Sequence, residues 1–109
     1  MSAITTHVLD AVLGKPAAGI SVSLEKKSDA GWTTIAESAT DEDGRCRKLA
    51  LVSSAATYRF IFAVGEYFSR HDRVSLYPEI VVTFVVDGQQ NYHIPLLLSD
   101  NSYTTYRGS

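Results

Sequence analysis

The stretch whose reading decides the fold closes the chain: Asn91-Tyr92-His93-Ile94-Pro95-Leu96-Leu97-Leu98-Ser99-Asp100-Asn101-Ser102-Tyr103-Thr104-Thr105-Tyr106-Arg107-Gly108-Ser109. Tyr92, Ile94, Leu96 and Leu98 alternate with His93, Pro95 and Leu97, the period-two pattern of a strand with one face turned to a core. A polar turn, Ser99 to Ser102, follows, and the Thr- and Tyr-rich run from Tyr103 to Arg107 suits a second short strand. Chain ends are usually frayed and compositionally bland. This one stays aromatic as far as Tyr106 and then adds an arginine, which suggests an end docked into something.

Upstream of it, Ile80 to Val86 is apolar on both faces. That predicts burial against the core on one side and against a second layer or subunit on the other. Asp87-Gly88-Gln89-Gln90 then turns the chain into the terminal pair. Thr57 to Val64 reads as a strand with Tyr58, Phe60 and Phe62 on one face, and Glu66 to His71 is the single plausible helix.

The first half continues the pattern. Thr5 to Val12 is β-prone, with His7, Leu9 and Ala11 on one face, and Gly14 to Gly19 is a turn. Ile20, Val22 and Leu24 alternate with Ser21, Ser23 and Glu25; Lys26 to Gly31 is polar and turn-like; Trp32 to Ala36 is the next strand. Thr40 to Gly44 is a loop whose Asp43-Gly44 ending favours a tight reversal, and Arg45 to Leu49 leaves it extended. Seven or eight strands with one short helix predict an all-β, antiparallel two-sheet sandwich, a single domain over residues 1–109 without repeats or linkers.

Composition sets the outer limits. A net charge of −2 gives no basic footprint for nucleic acid. No apolar run approaches the roughly 20 residues of a membrane-spanning helix. The start, Met1 to Thr6, has neither a charged nor an apolar leader segment, so secretion is not expected. The single cysteine, Cys46, excludes an internal disulfide framework and fits a reducing, cytoplasmic setting. Cys46 itself reads as a strand residue rather than a nucleophile.

Chemistry is sparse. His7 lies on the first strand and His93 on the penultimate one, while His71 follows the helix beside Arg70 and Asp72 and is expected at the surface. A lone strand histidine is ordinarily a satisfied structural group. His7 and His93 have no third or fourth ligand spaced to join them, so no metal is expected. There is no Gly-rich phosphate loop and no nucleophile elbow. Arg45 alone would be a surface charge.

A set of motifs running nearly end to end carries more. Thr6-His7-Val8-Leu9-Asp10, Gly14-Lys15-Pro16-Ala17, Asp43-Gly44-Arg45, Tyr77-Pro78-Glu79, Tyr92 to Ser99 and Tyr103 to Ser109 resemble the 5-hydroxyisourate hydrolase family, the enzymatic branch of the transthyretin fold. The terminal Tyr106-Arg107-Gly108-Ser109 is the most specific of these marks. Carrier transthyretins lack that ending and hold other residue types at the positions of His7 and Arg45. Where the family usually writes His-Tyr-His, this chain has Asn91-Tyr92-His93, and Asp100-Asn101 replaces a more usual Pro-aromatic pair, an exchange expected to loosen that turn. The segment Ser69 to Leu76 is atypical.

The resemblance implies a homotetramer, a dimer of dimers with sites in the channel between them, lined by His7, Arg45, His93 and Tyr106. It implies opening of the six-membered ring of 5-hydroxyisourate, without a cofactor, by water added to a ring acyl carbon. In this reading His7 and His93 share base and acid work, undivided between them. Arg45 holds the substrate and stabilises the developing oxyanion through its planar donors. Tyr106 packs on or hydrogen-bonds the flat heterocycle. Arg107 and Ser109 anchor the tail and stand as candidates for a direct contribution. The competing readings are a non-catalytic prealbumin-like binding or structural module and a transthyretin-type ligand carrier.

Overall fold

Alternation along the sequence becomes alternation of burial. In the computed structural model, which describes residues 2–87 and 91–108 and only the main chain at Lys48, nine strands and one helix follow in the order β1 (Ser2–Asp10), β2 (Lys15–Pro16), β3 (Ser21–Ser28), β4 (Gly31–Ala39), β5 (Arg45–Val52), β6 (Ala56–Phe62), α1 (Val64–Arg70), β7 (Ile80–Val86), β8 (Tyr92–Leu98) and β9 (Tyr103–Thr105). Of the expected turn Asp87 to Gln90, Gly88, Gln89 and Gln90 lie outside the described residues, as does Ser109.

The strands form two sheets. One has the order β2-β1-β8-β9, with β5 end to end with β2 along the same edge of β1. The other has the order β4-β3-β6-β7. Their facing sides make the core: Ile4 and Val8 from β1 with Ile94, Leu96 and Leu98 from β8, against Val22, Leu24, Tyr58, Phe60, Phe62, Ile80 and Val82. The expected sandwich is present, with one difference. β8 runs parallel to β1, pairing Ile4 with Tyr92 through to Asp10 with Leu98, so the first sheet is mixed. No short turn links the two strands, and so no hairpin constrains their relative direction.

Boundaries move where tertiary contacts decide them. β1 reaches back to Ser2, paired with Val52, and stops at Asp10, whose carboxylate accepts the N–H groups of Val12 and Leu13 and bends the chain. Lys26 to Ser28 belong to β3 rather than a turn, because the β3–β4 hairpin closes tightly around Asp29 and Ala30 at the Ser28–Gly31 pair. Gly31, at φ 109°, takes a backbone state that a side chain would resist. The helix begins at Val64, earlier than expected, since Val64, Tyr67 and Phe68 all turn inward. The outer side of β7 leaves Val81 and Val85 exposed, so among the described residues no second layer covers that half of the doubly apolar run.

The Asp100-Asn101 turn and the atypical segment Ser69 to Leu76 meet each other. Arg73 ion-pairs with both the buried Asp10 and Asp100 (2.5 Å to Asp100), while Ser75 Oγ donates to the Asp100 carbonyl and the Leu76 N–H reaches Asn101 Oδ1. The turn expected to be loose is thus fastened to the atypical segment. Asn91 also has a structural partner, accepting the N–H of Ala3 at 3.1 Å.

Candidate active site

The site begins with a turn. Asp41 Oδ1 accepts the N–H groups of Asp43 and Arg45, both at 2.9 Å, and the Asp41 carbonyl accepts the N–H of Gly44 at 2.9 Å. The bond from Arg45 is the main reason the Asp41 carboxyl is held below its usual range, with lesser help from Asp43 and Arg47 against the cost of burial. Gly44 sits at φ 78°, and its carbonyl accepts the Val8 N–H at 2.7 Å. A Cβ there would lie 2.3 Å from the Val8 oxygen, so only glycine lets the turn approach β1 this closely.

That approach brings the Asp43 carbonyl onto His7, 2.7 Å from Nε2. A carbonyl can only accept, so Nε2 carries a proton and neutral His7 keeps its lone pair on Nδ1. Arg45, the first residue of β5, is the cross-strand partner of His7, while Thr6 and Cys46 pair on the buried side. Burial raises the proton affinity of the Cys46 thiol, in keeping with a core residue rather than a nucleophile.

From the other edge of β1 comes β8, with Thr5 opposite His93. Thr5 Oγ1 lies 2.8 Å from His93 Nδ1, which leaves Nε2 as the ring nitrogen for proton exchange. Burial, followed by the positive charges of Arg45 and His7, pushes the proton affinity of His93 below that of an ordinary histidine. Arg45, His7 and His93 therefore share the outer side of three neighbouring strands, close enough for the first two to act on the His93 ring. Two shallow hollows meet at Arg45 and Arg47, one of about 320 Å³ beside His7 and one of about 150 Å³ beside His93.

The remaining predicted residues lie along the chain end. The register of β8 with β9, Leu96 to Thr105, is met again at His93 with Gly108, where the Gly108 N–H donates to the His93 carbonyl at 2.8 Å. Tyr106 follows the end of β9 and lines neither of the hollows beside His7 and His93. The Tyr106 side chain is half exposed and borders a groove of about 260 Å³ at the open edge between the sheets. Arg107 borders the same groove, its guanidinium 4.5 Å from the centre of the Tyr92 ring, a contact suited to anchoring the tail. His71 is exposed, its Nδ1–H on the Tyr67 carbonyl, far from this face in sequence and partners.

Sequence reasoning missed Thr5, Asp41, the carbonyl of Asp43 and Arg47. Thr5 could have been found by parity, being two residues from His7 on the same strand face. Asp41 had a signal in the Asp-x-x-Gly spacing of an Asx-type turn. Arg47 shares strand parity with Arg45 and bridges Asp41 at 3.5 Å and Asp43 at 3.0 Å.

A 5-hydroxyisourate hydrolase from Salmonella typhimurium is 45% identical over 109 residues, spanning 97% of this chain and 80% of that one. The solved 5-hydroxyisourate hydrolase of Klebsiella pneumoniae superposes with a TM-score of 0.88 at 32% identity, over 99% of this chain and 100% of that one. The transthyretin of Sparus aurata superposes with a TM-score of 0.92 at 30% identity, over 99% and 97%. The backbone thus fits enzyme and transthyretin alike, and side chains must separate them. The sequence model of the HIUase/Transthyretin family matches residues 4–108, and the chain belongs to that family.

Proposed function

We propose that this chain hydrolyses 5-hydroxyisourate to 2-oxo-4-hydroxy-4-carboxy-5-ureidoimidazoline in urate degradation. The observation that carries the reading is the placement of Arg45, His7 and His93 on one face of three neighbouring strands, with Arg45 opposite His7 and the His93 ring held by Thr5. Hydrolysis of a cyclic acyl–nitrogen bond asks for such a set. Water attacks the ring acyl carbon as a histidine takes its proton. Arg45 meets the negative charge gathering on the acyl oxygen. The carbon–nitrogen bond then breaks, and the leaving nitrogen takes from the histidine pair the proton that the pair gained from water, which returns both rings to their starting state. Each ring has one nitrogen held by the protein and one left for this exchange, His7 through Asp43 and His93 through Thr5. Tyr106, half exposed beside the groove between the sheets, is assigned to packing on the flat substrate, and Arg107 to anchoring the tail through Tyr92.

The carrier reading is favoured by the fold likeness to transthyretin, but it gives no use for two histidines and an arginine in this arrangement. The test is spectrophotometric. Urate oxidase generates 5-hydroxyisourate, and the protein is expected to speed the loss of its absorbance far beyond the spontaneous rate. Decay at the spontaneous rate would overturn the reading.

The same reading makes the protein a cytoplasmic homotetramer, a dimer of dimers. Its support is the exposed apolar side chains Leu51 and Val85 on β5 and β7, together with the sheet-ending strands β7 and β9. Sedimentation is expected to give about four times 11.9 kDa. A fully active monomer would contradict it.

A further inference from the structure

We propose that Gly108 and Thr5 form a two-sided clamp on the His93 imidazole, making both of them positioning residues for the hydrolysis. The inference rests on the hydrolase reading and deepens it. Gly108 is a glycine for reasons of space: the positive-φ glycines among the described residues are Gly14, Gly19, Gly31 and Gly44, and Gly108 is not one of them. What it lacks is room. A Cβ at Gly108 would stand 2.6 Å from His93 Cδ2, 3.4 Å from Cγ and 3.2 Å from Pro95 Cγ. The main chain of the tail therefore lies directly against the ring, fixed there by the 2.8 Å bond from the Gly108 N–H to the His93 carbonyl.

On the ring's other atoms, Thr5 Oγ1 holds Nδ1 at 2.8 Å. The hydroxyl fixes rotation about the Cβ–Cγ bond, and the glycine limits how far the ring can swing. Cδ2, the carbon that Gly108 abuts, is bonded to Nε2, the nitrogen left for proton exchange. A methyl group at Gly108 needs about 3.5 Å of carbon–carbon separation. It would have to move Cδ2, and Nε2 with it, by somewhat under ~1 Å. A displacement of about that size at a reacting group costs up to roughly 100-fold in rate. The two contacts join residues 88 positions apart in sequence and the chain's last described residue, so the docked end acts on the catalytic ring rather than only closing the sheet.

The test compares full-length wild type with Gly108→Ala, Thr5→Val and Thr5→Ser, reading both turnover and the ring nitrogen resonances of His93 in 15N-labelled protein. Gly108→Ala is expected to lower kcat by about 10- to 100-fold with KM changed less than about threefold, and to shift the His93 ring signals while leaving those of His71 in place. Thr5→Val is expected to lower kcat by about 10-fold and to move the Nδ1 signal, and Thr5→Ser to restore both. Wild-type kcat in Gly108→Ala, or unmoved His93 signals in both Gly108→Ala and Thr5→Val, would overturn the clamp. A wild type that leaves 5-hydroxyisourate decay unchanged would instead remove the hydrolase reading, and the ring signals would then decide the clamp on their own.

Discussion

His7 donates its Nε2–H to the main-chain oxygen of Asp43 at 2.7 Å, and this bond sets which nitrogen of the ring is free. The oxygen is where it is because Asp41 gathers the Asp43 and Arg45 N–H groups on one carboxylate oxygen. Asp41→Ala is expected to slacken the turn and lower kcat by roughly 10-fold, with the thermal transition little changed. Asp41→Asn keeps an acceptor oxygen and is expected to retain most activity. Equal turnover in both variants would separate the turn from the chemistry.

His93 gives a prediction in pH. Burial first, then the positive charges of Arg45 and His7, disfavour its protonated form in the folded protein. Its folded-state midpoint lies below the free value near 6.5, so neutral His93 persists to lower pH than in the unfolded chain. Folding is weakened, not strengthened, as pH falls through that window, and the acid limb of activity is expected below about 6.5. Replacing Arg45 with Gln removes one of the repelling charges and is expected to raise the midpoint. An NMR titration that places His93 at or above 6.5, or that finds it indifferent to Arg45→Gln, would contradict this account.

Arg45 also tests geometry. An ammonium cannot reproduce the planar fork of a guanidinium. Arg45→Lys is therefore expected to lose as much kcat/KM as Arg45→Ala, although it keeps the charge. Near-native turnover of Arg45→Lys would reduce Arg45 to a generic cation.

How far the sequence reveals these relations differs from residue to residue. Period-two alternation exposes the inward face of Tyr92, Ile94, Leu96 and Leu98, and with it the outward side of His93. On β1 the same counting shows only that His7 and Val8 take opposite faces; the structure settles that Val8's is the core side. Counting cannot show that Thr5 meets His93, because their pairing joins strands 88 residues apart, nor that β1 and β8 run parallel. Local pattern carries no register between strands distant along the chain. Asp10 illustrates the same limit: as part of a β-prone run it looks like a surface acid, yet it is fully buried among Tyr67, Arg73 and two main-chain N–H groups from the chain that follows it.

That buried cluster predicts the acid stability of the protein. Burial alone would raise the Asp10 carboxyl, but hydrogen bonds from Arg73, Tyr67 and Leu13 outweigh it and hold its pKa at about 2. A depressed carboxyl pKa contributes stability above the unfolded value of 3.8, and loses it as pH falls toward about 2. Asp10→Ala strands the Tyr67 hydroxyl and leaves Arg73 with Asp100 alone, and is expected to cost roughly 3 kcal/mol in denaturant unfolding. The loss is expected to shrink between about pH 4 and pH 2. A pH-independent difference, or none, would contradict the assigned network.

The most direct test of the whole account compares wild type with His7→Asn and His93→Asn in the decay of enzymatically generated 5-hydroxyisourate, at matched protein concentration and with folding checked by thermal unfolding. Each variant is expected to lose about 10²- to 10⁴-fold in kcat/KM while His71→Asn stays near wild type. Folded His7→Asn and His93→Asn proteins that turn over 5-hydroxyisourate as fast as wild type would show that this face of the sheet is not where the reaction occurs.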